Sequence, residues 1–427
     1  MDGQIRGNLM RLLDTAIAAA QPLNVVAPGL PPVPKSGRVI VLGAGKAAAA
    51  MAIATETHYG ELAAQGRLYG AVATRHGYSL PTRTIKVVEA GHPVPDAASE
   101  RAARQALDLA GSATPDDTIV VLLSGGASAI WSAPVNGLTL ADKQAVTKAL
   151  LKSGERIHEM NCVRKHLSRI KGGRLAGAAR GGLLVTLAIA DVPGDDPAVI
   201  GSGPTVADPS TLADARAIVG RLREPLPDAV RTALLDACNE TLKAGDPALA
   251  NSEFTMVAAP SLSLAAAKRE AERLGYHVIM LGEAIEGEAR AVAREHAAKA
   301  IAAHQNGGRL AFLSGGELTV TIKGKGVGGP NQEYALALAI ALNGAPAIAA
   351  IAADTDGTDG GTGAPDDPAG AIVLPDTLAR AISAKLNASA FLDNNDSTPF
   401  FRHLGDLVIK GPTQTNVNDF RAILIDP

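Results

Sequence analysis

The chain has 427 residues, of which 47% are hydrophobic, 19% charged and 3% aromatic, and its net charge is −3 at pH 7. The length suggests two domains, and the absence of any block of like charge argues against nucleic acid or a membrane surface as partner. Two cysteines, Cys162 and Cys238, are too few for a disulfide framework or a cysteine-rich zinc site, so a reducing cytoplasm is the expected location. We find no run of 18 apolar residues and no signal-peptide pattern.

The first half of the chain alternates short apolar strands with helices. Predicted strands cover residues 38–42, 68–73, 85–89, 118–123 and 183–189, and predicted helices cover 46–58, 96–110, 140–152 and a basic stretch around 164–180. This alternation indicates a mostly parallel sheet covered by helices on both faces.

A second alternating series begins near residue 254. Predicted strands cover residues 254–258, 276–281, 309–313, 317–322 and 345–353, and predicted helices cover 261–274, 286–304 and 331–342. We therefore expect an α/β fold of two three-layer α/β/α domains with mostly parallel sheets, one over 1–245 and one over 250–427. An arrangement in which the last strand returns to the first domain stays open.

Glycine and acid clusters follow five of the predicted strands. They cover residues 43–46, 124–128, 191–204, 314–317 and 354–363. Ligands of open parallel sheets lie beyond the carboxyl ends of the strands, so these clusters are the candidate binding segments.

The first cluster, in "VIVLGAGKAAAAMA", fits the loose dinucleotide pattern G-x-G-x-x-A at Gly43, Gly45 and Ala48. Its glycines would let a phosphate approach the N-terminus of the next helix. An NAD site also needs an acid after the second strand, where Arg75 instead leaves an NADP site open. Lys46 either faces solvent or completes an anion site.

Basic and acidic clusters follow. The run "NCVRKHLSRIKGGRLA" contains Arg164 and Lys165 but no acid, so it is either a solvated helix face or an anion clamp. In "DVPGDDPAVIGSGPT", carboxylates suit Mg²⁺ ligation or a general base, and the glycines suit an anion cradle. "DTDGTDGGTGAP" fails as a Ca²⁺ loop because Pro365 stands at the twelfth position, so its acids either meet a Mg²⁺–nucleotide, hold loops or cap a helix.

Two later motifs complete the pattern. "GGPNQEYALA" places Asn331 as a candidate helix N-cap, and "GPTQTNVND" is either a strand and turn or a wall of the site. Together these parts suit phosphoryl transfer, which needs positioning, Mg²⁺ and charge neutralisation. The chain contains no Walker A or protein-kinase signature.

In this order, the motifs "GAGKAAAAMA", "GHPVPD", "LLSGGASAI", "NCVRKHLSRIKGGRLA", "DVPGDDPAVIGSGPT", "LSGGELTV", "GGPNQEYALA", "DTDGTDG" and "GPTQTNVND" resemble the class II glycerate kinases. The resemblance spans residues 5–425. It implies a Rossmann-like N-terminal domain and a C-terminal MOFRL-type domain flanking a central active-site cleft. It also implies ATP- and Mg²⁺-dependent phosphorylation of D-glycerate to 2-phosphoglycerate in glycerate, tartrate or glyoxylate catabolism. Pro330 and Ala190 depart from the arginine and serine of many members.

The resemblance carries the family's lysine, Ser-Gly-Gly and basic motifs onto this chain, and we expect each candidate residue to have one role. Lys46 neutralises the transferred phosphoryl group, Asp191 or a neighbouring acid accepts the hydroxyl proton, and Arg164 is the third catalytic candidate. Candidate substrate ligands are Ser124, Gly125, Gly126, Lys165 and Asn416. Candidate nucleotide ligands are Gly43, Gly45, Gly203, Gly315, Glu317 and Asn331, and candidate Mg²⁺ ligands are Asp195 and Asp354. We expect a monomer or homodimer.

Two alternatives stay open. An NAD(P)H-dependent hydroxypyruvate reductase would rely on Gly43, Gly45 and Ala48, without an obvious histidine–acid proton relay. A non-catalytic protein that binds glycerate or nucleotide would leave the acidic clusters unexplained.

Overall fold

A computed structural model describes residues 2–191, 196–305, 307–361 and 366–426. The chain divides into two compact units. We call Pro22–Val257 the parallel-sheet unit, and Met1–Gln21 together with Ala258–Pro427 the mixed-sheet unit. The expected division at residues 245–250 left the N-terminal helix α1 (Asp2–Ala18) in the first domain, whereas the structure places it in the mixed-sheet unit.

The parallel-sheet unit alternates strands and helices. Its strands are β1 (Val39–Ala44), β2 (Leu68–Arg75), β3 (Ile85–Ala90), β4 (Thr118–Leu123), β5 (Leu183–Ile189) and β6 (Ser252–Ala258). Its helices are α2 (Pro22–Val25), α3 (Ala48–His58), α4 (Gly60–Ala64), α5 (Ala97–Gly111), α6 (Ala127–Ile130), α7 (Leu140–Ser153), α8 (Ile157–His166), α9 (Arg174–Ala178), α10 (Leu212–Arg221) and α11 (Asp228–Leu235).

The six strands form one sheet in the order β3-β2-β1-β4-β5-β6. β1 pairs in parallel with β2 and β4, β2 with β3, and β4 with β5. β1 and β4 are buried along their whole length, as their continuous apolar sequences require in a sheet covered on both faces. The strand order reverses between β1 and β4, and a crevice for ligands lies beyond the carboxyl ends of strands at such a point.

Helix α7 shows how the sequence places one important side chain. The Thr139 hydroxyl accepts a hydrogen bond from Asp142 N at 3.1 Å, and the Asp142 carboxylate accepts one from Thr139 N at 2.8 Å. This capping box fixes where the helix begins. Lys143, Val146 and Leu150 then fall on one buried face, at helical spacing.

One predicted helix is interrupted. The stretch around residues 164–180 was expected to be a single helix, but α8 ends at His166 and α9 begins at Arg174. Gly172 and Gly173 between them have φ of +59° and +80°, a conformation that ends a right-handed helix. The break turns the chain back across the loop that follows β5.

The mixed-sheet unit carries the remaining elements. Its strands are β7 (His277–Gly282), β8 (Gly287–Glu288), β9 (Leu310–Ser314), β10 (Leu318–Thr319), β11 (Ile348–Asp354), β12 (Gly370–Val373), β13 (Leu407–Val408) and β14 (Asp419–Ile425). Its helices are α12 (Pro260–Arg273), α13 (Ala289–His304), α14 (Pro330–Leu342), α15 (Thr377–Ser383), α16 (Ala388–Asp393) and α17 (Ser397–Leu404).

Six of these strands form a sheet in the order β13-β12-β11-β14-β9-β7. In this sheet β7 and β9 pair in parallel, whereas β13 with β12, β12 with β11, β11 with β14 and β14 with β9 pair antiparallel, so the sheet is mixed rather than mostly parallel. The last strand, β14, lies between β11 and β9 and does not join the parallel sheet. The two-domain α/β architecture is confirmed.

Helix α1 belongs to the core of the mixed-sheet unit. Leu9, Leu12 and Leu13 are fully buried and belong to the same apolar cluster as Leu264 of α12 and Phe420 of β14. These leucines recur at the spacing of one helix face. Burying that face stabilises the mixed sheet, which explains why the N-terminal helix is part of this unit.

Candidate functional site

The loops that follow β1 and β4 are joined by hydrogen bonds at the point where the strand order reverses. Lys46 N donates to Gly125 O at 2.8 Å, and Ala47 N donates to the Ser124 hydroxyl at 3.0 Å. Ser124 N in turn donates to Ala44 O at 3.1 Å. The predicted Lys46 and Ser-Gly-Gly segments are therefore neighbours, as their positions after two adjacent strands imply.

The glycines of the β1 loop allow it to approach the β4 loop this closely. A Cβ on Gly45, whose φ is +134°, would lie 2.1 Å from Ser124 Oγ, and one on Gly43 would lie 2.8 Å from Leu122 O. Gly45 N donates to Ala73 O at 3.1 Å. Because this N–H and the next two already have protein acceptors, a dinucleotide phosphate would have to displace them. Loop packing explains Gly43 and Gly45 without a cofactor.

The second half of the Ser-Gly-Gly segment is more open to a ligand. Ser124 is fully buried, so its hydroxyl is committed to Ala47. Within the part of the chain that the structure describes, no acceptor is hydrogen-bonded to the N–H of Gly125 or Gly126. Gly126 has φ of +83° and directly precedes α6, so both amides are candidate anion donors at the start of that helical turn.

Ser128, on α6, accepts hydrogen bonds from cationic side chains of other segments. Arg164 Nη2 donates to Ser128 Oγ at 2.9 Å, and Lys171 Nζ donates to Ser128 O at 2.6 Å. The hydroxyls of Ser128 and Ser202 are 2.9 Å apart. The structure thus brings Arg164 and Lys171 of the predicted basic run together with the Ser-Gly-Gly segment, and it adds Ser128 and Ser202, which were not candidate ligands.

A third cation, Lys143, completes this group, and sequence reasoning missed it. Its side chain is buried, and its Nζ has no hydrogen-bond partner among the described residues. A cavity of about 450 Å³ is lined by Lys143, Arg164, Lys171, Ser128 and neighbouring residues. We call Lys143, Arg164 and Lys171 the cation cluster. The sequence offered one signal for Lys143, which is that this lysine falls on the buried face of an amphipathic helix.

Burial and mutual repulsion disfavour the charged forms of the cation cluster. Burial, with the positive charges of Arg164 and Arg174, lowers the pKa of Lys143 to about 7. Burial and the neighbouring cations also hold the pKa of Lys171 well below its usual range. Burial alone lowers the pKa of Arg164. Among the described residues, no carboxylate forms a salt bridge with the cluster, so a bound anion would favour its charged form.

Lys165, a predicted substrate ligand, has a carboxylate partner instead. Its Nζ lies 3.1 Å from Asp208 Oδ1, and both side chains are buried. Asp208 also accepts hydrogen bonds from Ser210 and Thr241. This network neutralises Lys165 within the fold, so a structural role accounts for it.

The loop after β5 holds three further predicted residues. Asp191, half-buried, comes two residues after the strand. Asp195 lies outside the described residues. Gly203 O accepts from Gly173 N at 2.7 Å, and Gly203 has φ of +58°. Gly203 therefore packs the β5 loop against the turn between α8 and α9, which positions Lys171.

Five predicted residues lie in the mixed-sheet unit: Gly315, Glu317, Asn331, Asp354 and Asn416. Gly315 N donates to Gly282 O at 2.9 Å, and Gly315 O accepts from Arg421 Nη1 at 3.0 Å. Glu317 is exposed, and Asn416 is buried with its Oδ1 accepting from Asn418 N at 3.2 Å. The N–H of Gly315 thus has an acceptor within its own unit, unlike the N–H of Gly125 in the first Ser-Gly-Gly segment.

The N-terminus of α14 differs from the sequence expectation. Gly329, rather than Asn331, is the N-cap. Asp359 Oδ1 accepts from Asn331 N at 2.9 Å and Asp359 Oδ2 accepts from Gln332 N at 2.8 Å, so an acid from a distant loop caps the helix. Asn331 Nδ2 also donates to Asp419 at 2.6 Å. Burial, with the nearby Asp419, raises the pKa of Asp359 to about 7.

Mg²⁺ would need carboxylate ligands from these residues. Within the described ranges, no group of three or more His, Cys, Asp or Glu side chains could hold a metal ion. Mg²⁺ in nucleotide enzymes binds through one or two carboxylates together with phosphate oxygens and water, so it needs no such group. Asp354, half-buried at the end of β11, supplies a carboxylate of this kind. The described residues therefore fit Mg²⁺ that arrives with a nucleotide.

Comparison with known proteins gives consistent matches over both units. A family model described as a domain of unknown function (DUF4147) matches residues 8–235, and the MOFRL family model matches residues 310–419. A relative in Agrobacterium vitis named "Putative hydroxypyruvate reductase" is 49% identical over 99% of this chain and 95% of its own. The "D-glycerate 2-kinase" of Thermotoga maritima is 37% identical over 97% of both chains.

A solved structure supports the same relationship. The crystal structure of a glycerate kinase from Thermotoga maritima superposes with a TM-score of 0.89 at 35% identity, covering 99% of this chain and 100% of that one. Among the described residues, no helix has the length and apolar character needed to cross a membrane.

Proposed function

This chain belongs to the class II glycerate kinase family, and from that premise we propose that it transfers the γ-phosphoryl group of ATP to the 2-hydroxyl of D-glycerate. The products are 2-phosphoglycerate and ADP. The observation that carries this proposal is the cation cluster beside the Ser-Gly-Gly segment. Buried cations without carboxylate partners, next to open backbone amides, suit an anionic acceptor.

We assign each step of the proposed phosphoryl transfer to residues of the chain. The amides of Gly125 and Gly126 and the Arg164 guanidinium hold the carboxylate and hydroxyls of glycerate. The 2-hydroxyl oxygen attacks the γ-phosphorus while the bond to the β–γ bridging oxygen breaks and ADP leaves. The hydroxyl proton passes to the carboxylate of Asp191, which acts as general base. Lys46 neutralises charge on the transferred group.

The predicted Mg²⁺ and nucleotide ligands complete the proposal. Asp354, with Asp195 as the second candidate, would hold Mg²⁺. When bound, that ion supplies charge neutralisation on the β- and γ-phosphates. Gly203, Gly315, Glu317, Asn331 and Asn416 stay predictions. Their polar groups already have partners within the protein or face solvent. A substitution at one of these residues would therefore change the stability of the fold as well as ligand binding.

The name of the Agrobacterium vitis relative favours a second candidate function, reduction of hydroxypyruvate with NADH or NADPH. This function would place the cofactor pyrophosphate on the turn after β1. The N–H groups of Gly45, Lys46 and Ala47 already donate within the protein. At the end of β2, Thr74 and Arg75 supply no acid for the ribose of NADH, and Arg75, the candidate for NADPH, lies over the Tyr78 ring at 4.5 Å from its centroid. We therefore favour the kinase.

Two assays on the wild-type protein separate these functions. We expect ADP formation that requires D-glycerate, ATP and Mg²⁺, and no NADH or NADPH oxidation with hydroxypyruvate. Proton-coupled ³¹P NMR identifies the product, because a phosphate on the 2-oxygen couples to one carbon-bound proton and a phosphate on the 3-oxygen couples to two. Hydroxypyruvate-dependent oxidation without glycerate-dependent ADP formation would overturn the kinase proposal.

A further inference from the structure

We propose that Lys143, together with Arg164 and Lys171, forms a carboxylate-binding subsite that selects acidic acceptors over neutral alcohols. This inference rests on the proposed glycerate kinase function and deepens it, because it adds Lys143, which lies outside the family motifs, and gives Lys171 of the basic motif a ligand. The subsite lies in the cavity beside α6, and its ligand is the carboxylate of a short 2-hydroxy acid.

The first argument is the unpaired charge. A buried ammonium without an anion is costly, and proteins normally pair or neutralise it. The same unit does so at Lys165, whose Nζ lies 3.1 Å from the Asp208 carboxylate. Lys143 is 8% exposed, and its Nζ has no hydrogen-bond partner among the described residues. An anion that enters the cavity is the missing partner.

The second argument is preorganisation. Arg164 is held by Ser128 Oγ at 2.9 Å and by Asn161 Oδ1 at 3.3 Å, and Lys171 is held by Ser128 O at 2.6 Å. These neutral partners fix the cations in place without cancelling their charge. A guanidinium carries five N–H donors, so Arg164 keeps donors beyond these two contacts. Fixed donors reduce the entropy lost when a carboxylate binds.

The third argument identifies which part of the substrate binds here. Ser128 lies on α6, two residues after Gly126, which directly precedes that helix. The Gly126 amide is therefore close in sequence to the residue that Arg164 and Lys171 contact. The rest of the wall combines apolar side chains, from Val94, Pro95 and Leu151, with the polar side chains of Gln144, Thr147 and Lys148, which can bind hydroxyl groups. A carboxylate next to its hydroxyl-bearing carbon matches this arrangement better than a triphosphate, which carries several times the charge.

The test compares Lys143→Met with the wild type and with Lys152→Met. Lys152 lies on the same helix, is exposed and is not part of the cavity. We expect the KM for D-glycerate to rise about 10- to 100-fold in Lys143→Met, as for loss of a charge-assisted hydrogen bond. The KM for ATP should stay within about twofold, and Lys152→Met should match the wild type. A rise in the KM for ATP with an unchanged KM for glycerate would overturn the subsite.

A neutral analogue separates recognition of charge from a purely structural role. Glyceramide keeps both hydroxyls of glycerate but has an amide instead of the carboxylate. The ratio of kcat/KM for glycerate to that for glyceramide should fall about tenfold or more in Lys143→Met, and Lys143→Arg should restore part of it. An unchanged ratio would mean that Lys143 does not recognise the carboxylate.

Direct binding distinguishes failure of this inference from failure of the kinase proposal. D-glycerate is titrated calorimetrically into each variant without nucleotide. If the wild type binds glycerate but forms no ADP, the kinase proposal fails, and weaker binding to Lys143→Met still supports the subsite. If the wild type turns over glycerate and Lys143→Met binds it equally well, the kinase stands and the subsite fails.

Discussion

The hydroxyl of Ser124 accepts a hydrogen bond from the backbone N–H of Ala47 at 3.0 Å, between the loops that follow the adjacent strands β1 and β4. This bond fixes the loop that carries Lys46 against the Ser-Gly-Gly segment. It also changes the expected role of Ser124, because a buried hydroxyl that already accepts from the protein is a positioning group rather than a primary substrate ligand.

Replacing Ser124 by alanine should therefore destabilise the fold. The N–H of Ala47 would lose its acceptor in a buried site, which costs about 1–3 kcal/mol. Equilibrium denaturant unfolding of Ser124→Ala measures this loss. Ser79→Ala, at an exposed position, should change the free energy of unfolding by no more than about 0.5 kcal/mol. Unchanged stability of Ser124→Ala would show that the bond does not join the loops in solution.

Lys46→Ala tests the proposed role of Lys46 in phosphoryl transfer. Removing a preorganised charge donor should lower kcat on the order of 10²-fold or more. The melting temperature should change little, because Lys46 is only half-buried. Steady-state ADP formation and thermal unfolding provide the two measurements. Near-normal turnover would show that Lys46 does not neutralise the transferred group.

Lys143→Met should stabilise the ligand-free protein near neutral pH while weakening glycerate binding. The pKa of Lys143 is about 7 in the folded protein and about 10.4 in an unfolded chain. At or below pH 7 the native state bears the full cost of the buried charge, and methionine removes it. We expect a gain of about 1–4 kcal/mol at pH 6 in a buffer without phosphate or carboxylate.

This gain should shrink as the pH rises. Between pH 7 and about 10.4, unfolded Lys143 binds a proton that the folded residue has lost, so wild-type stability increases with pH. The advantage of Lys143→Met should be nearly gone above about pH 10.4. Denaturant titrations at pH 6, 8 and 10 test this trend. A destabilised Lys143→Met at pH 6 would indicate that Lys143 has a stabilising partner.

Asp359→Asn should flatten the dependence of stability on pH between about 4 and 7. The pKa of Asp359 is about 7 in the fold, raised by burial, and about 3.9 when unfolded. Between these values the native state holds a proton that the unfolded state lacks, so the free energy of unfolding falls as pH rises, by up to about 1.4 kcal/mol per pH unit.

The asparagine variant lacks this proton and should lose that part of the slope. It should also be less stable overall, because an amide accepts through one oxygen while Asn331 N and Gln332 N donate to two carboxylate oxygens. Asp366→Asn, at an exposed position, should keep the wild-type slope. Identical slopes in Asp359→Asn and the wild type would contradict the raised pKa.

Much of the fold could be predicted from the pattern of apolar residues along the chain. The apolar runs of β1 and β4 are confirmed as buried parallel strands, since uninterrupted apolar sequence can only be buried on both faces. β12 and β13 were missed because they are short, with four and two residues, and carry too few side chains to show a period. A last strand was expected without bounds, and its partners could not be predicted because β14 pairs with β11 and β9, which are distant in sequence.

By itself, the sequence determined the α/β class, the order of the motifs and the positions of Lys46 and the Ser-Gly-Gly segment directly after apolar strands, because these features are local in the chain. Tertiary structure alone decided which polar groups have partners. Lys165 is neutralised by Asp208, forty-three residues later, whereas Lys143, Arg164 and Lys171 share a cavity without a carboxylate. Both outcomes depend on contacts between segments far apart in the chain, and local spacing does not encode such contacts.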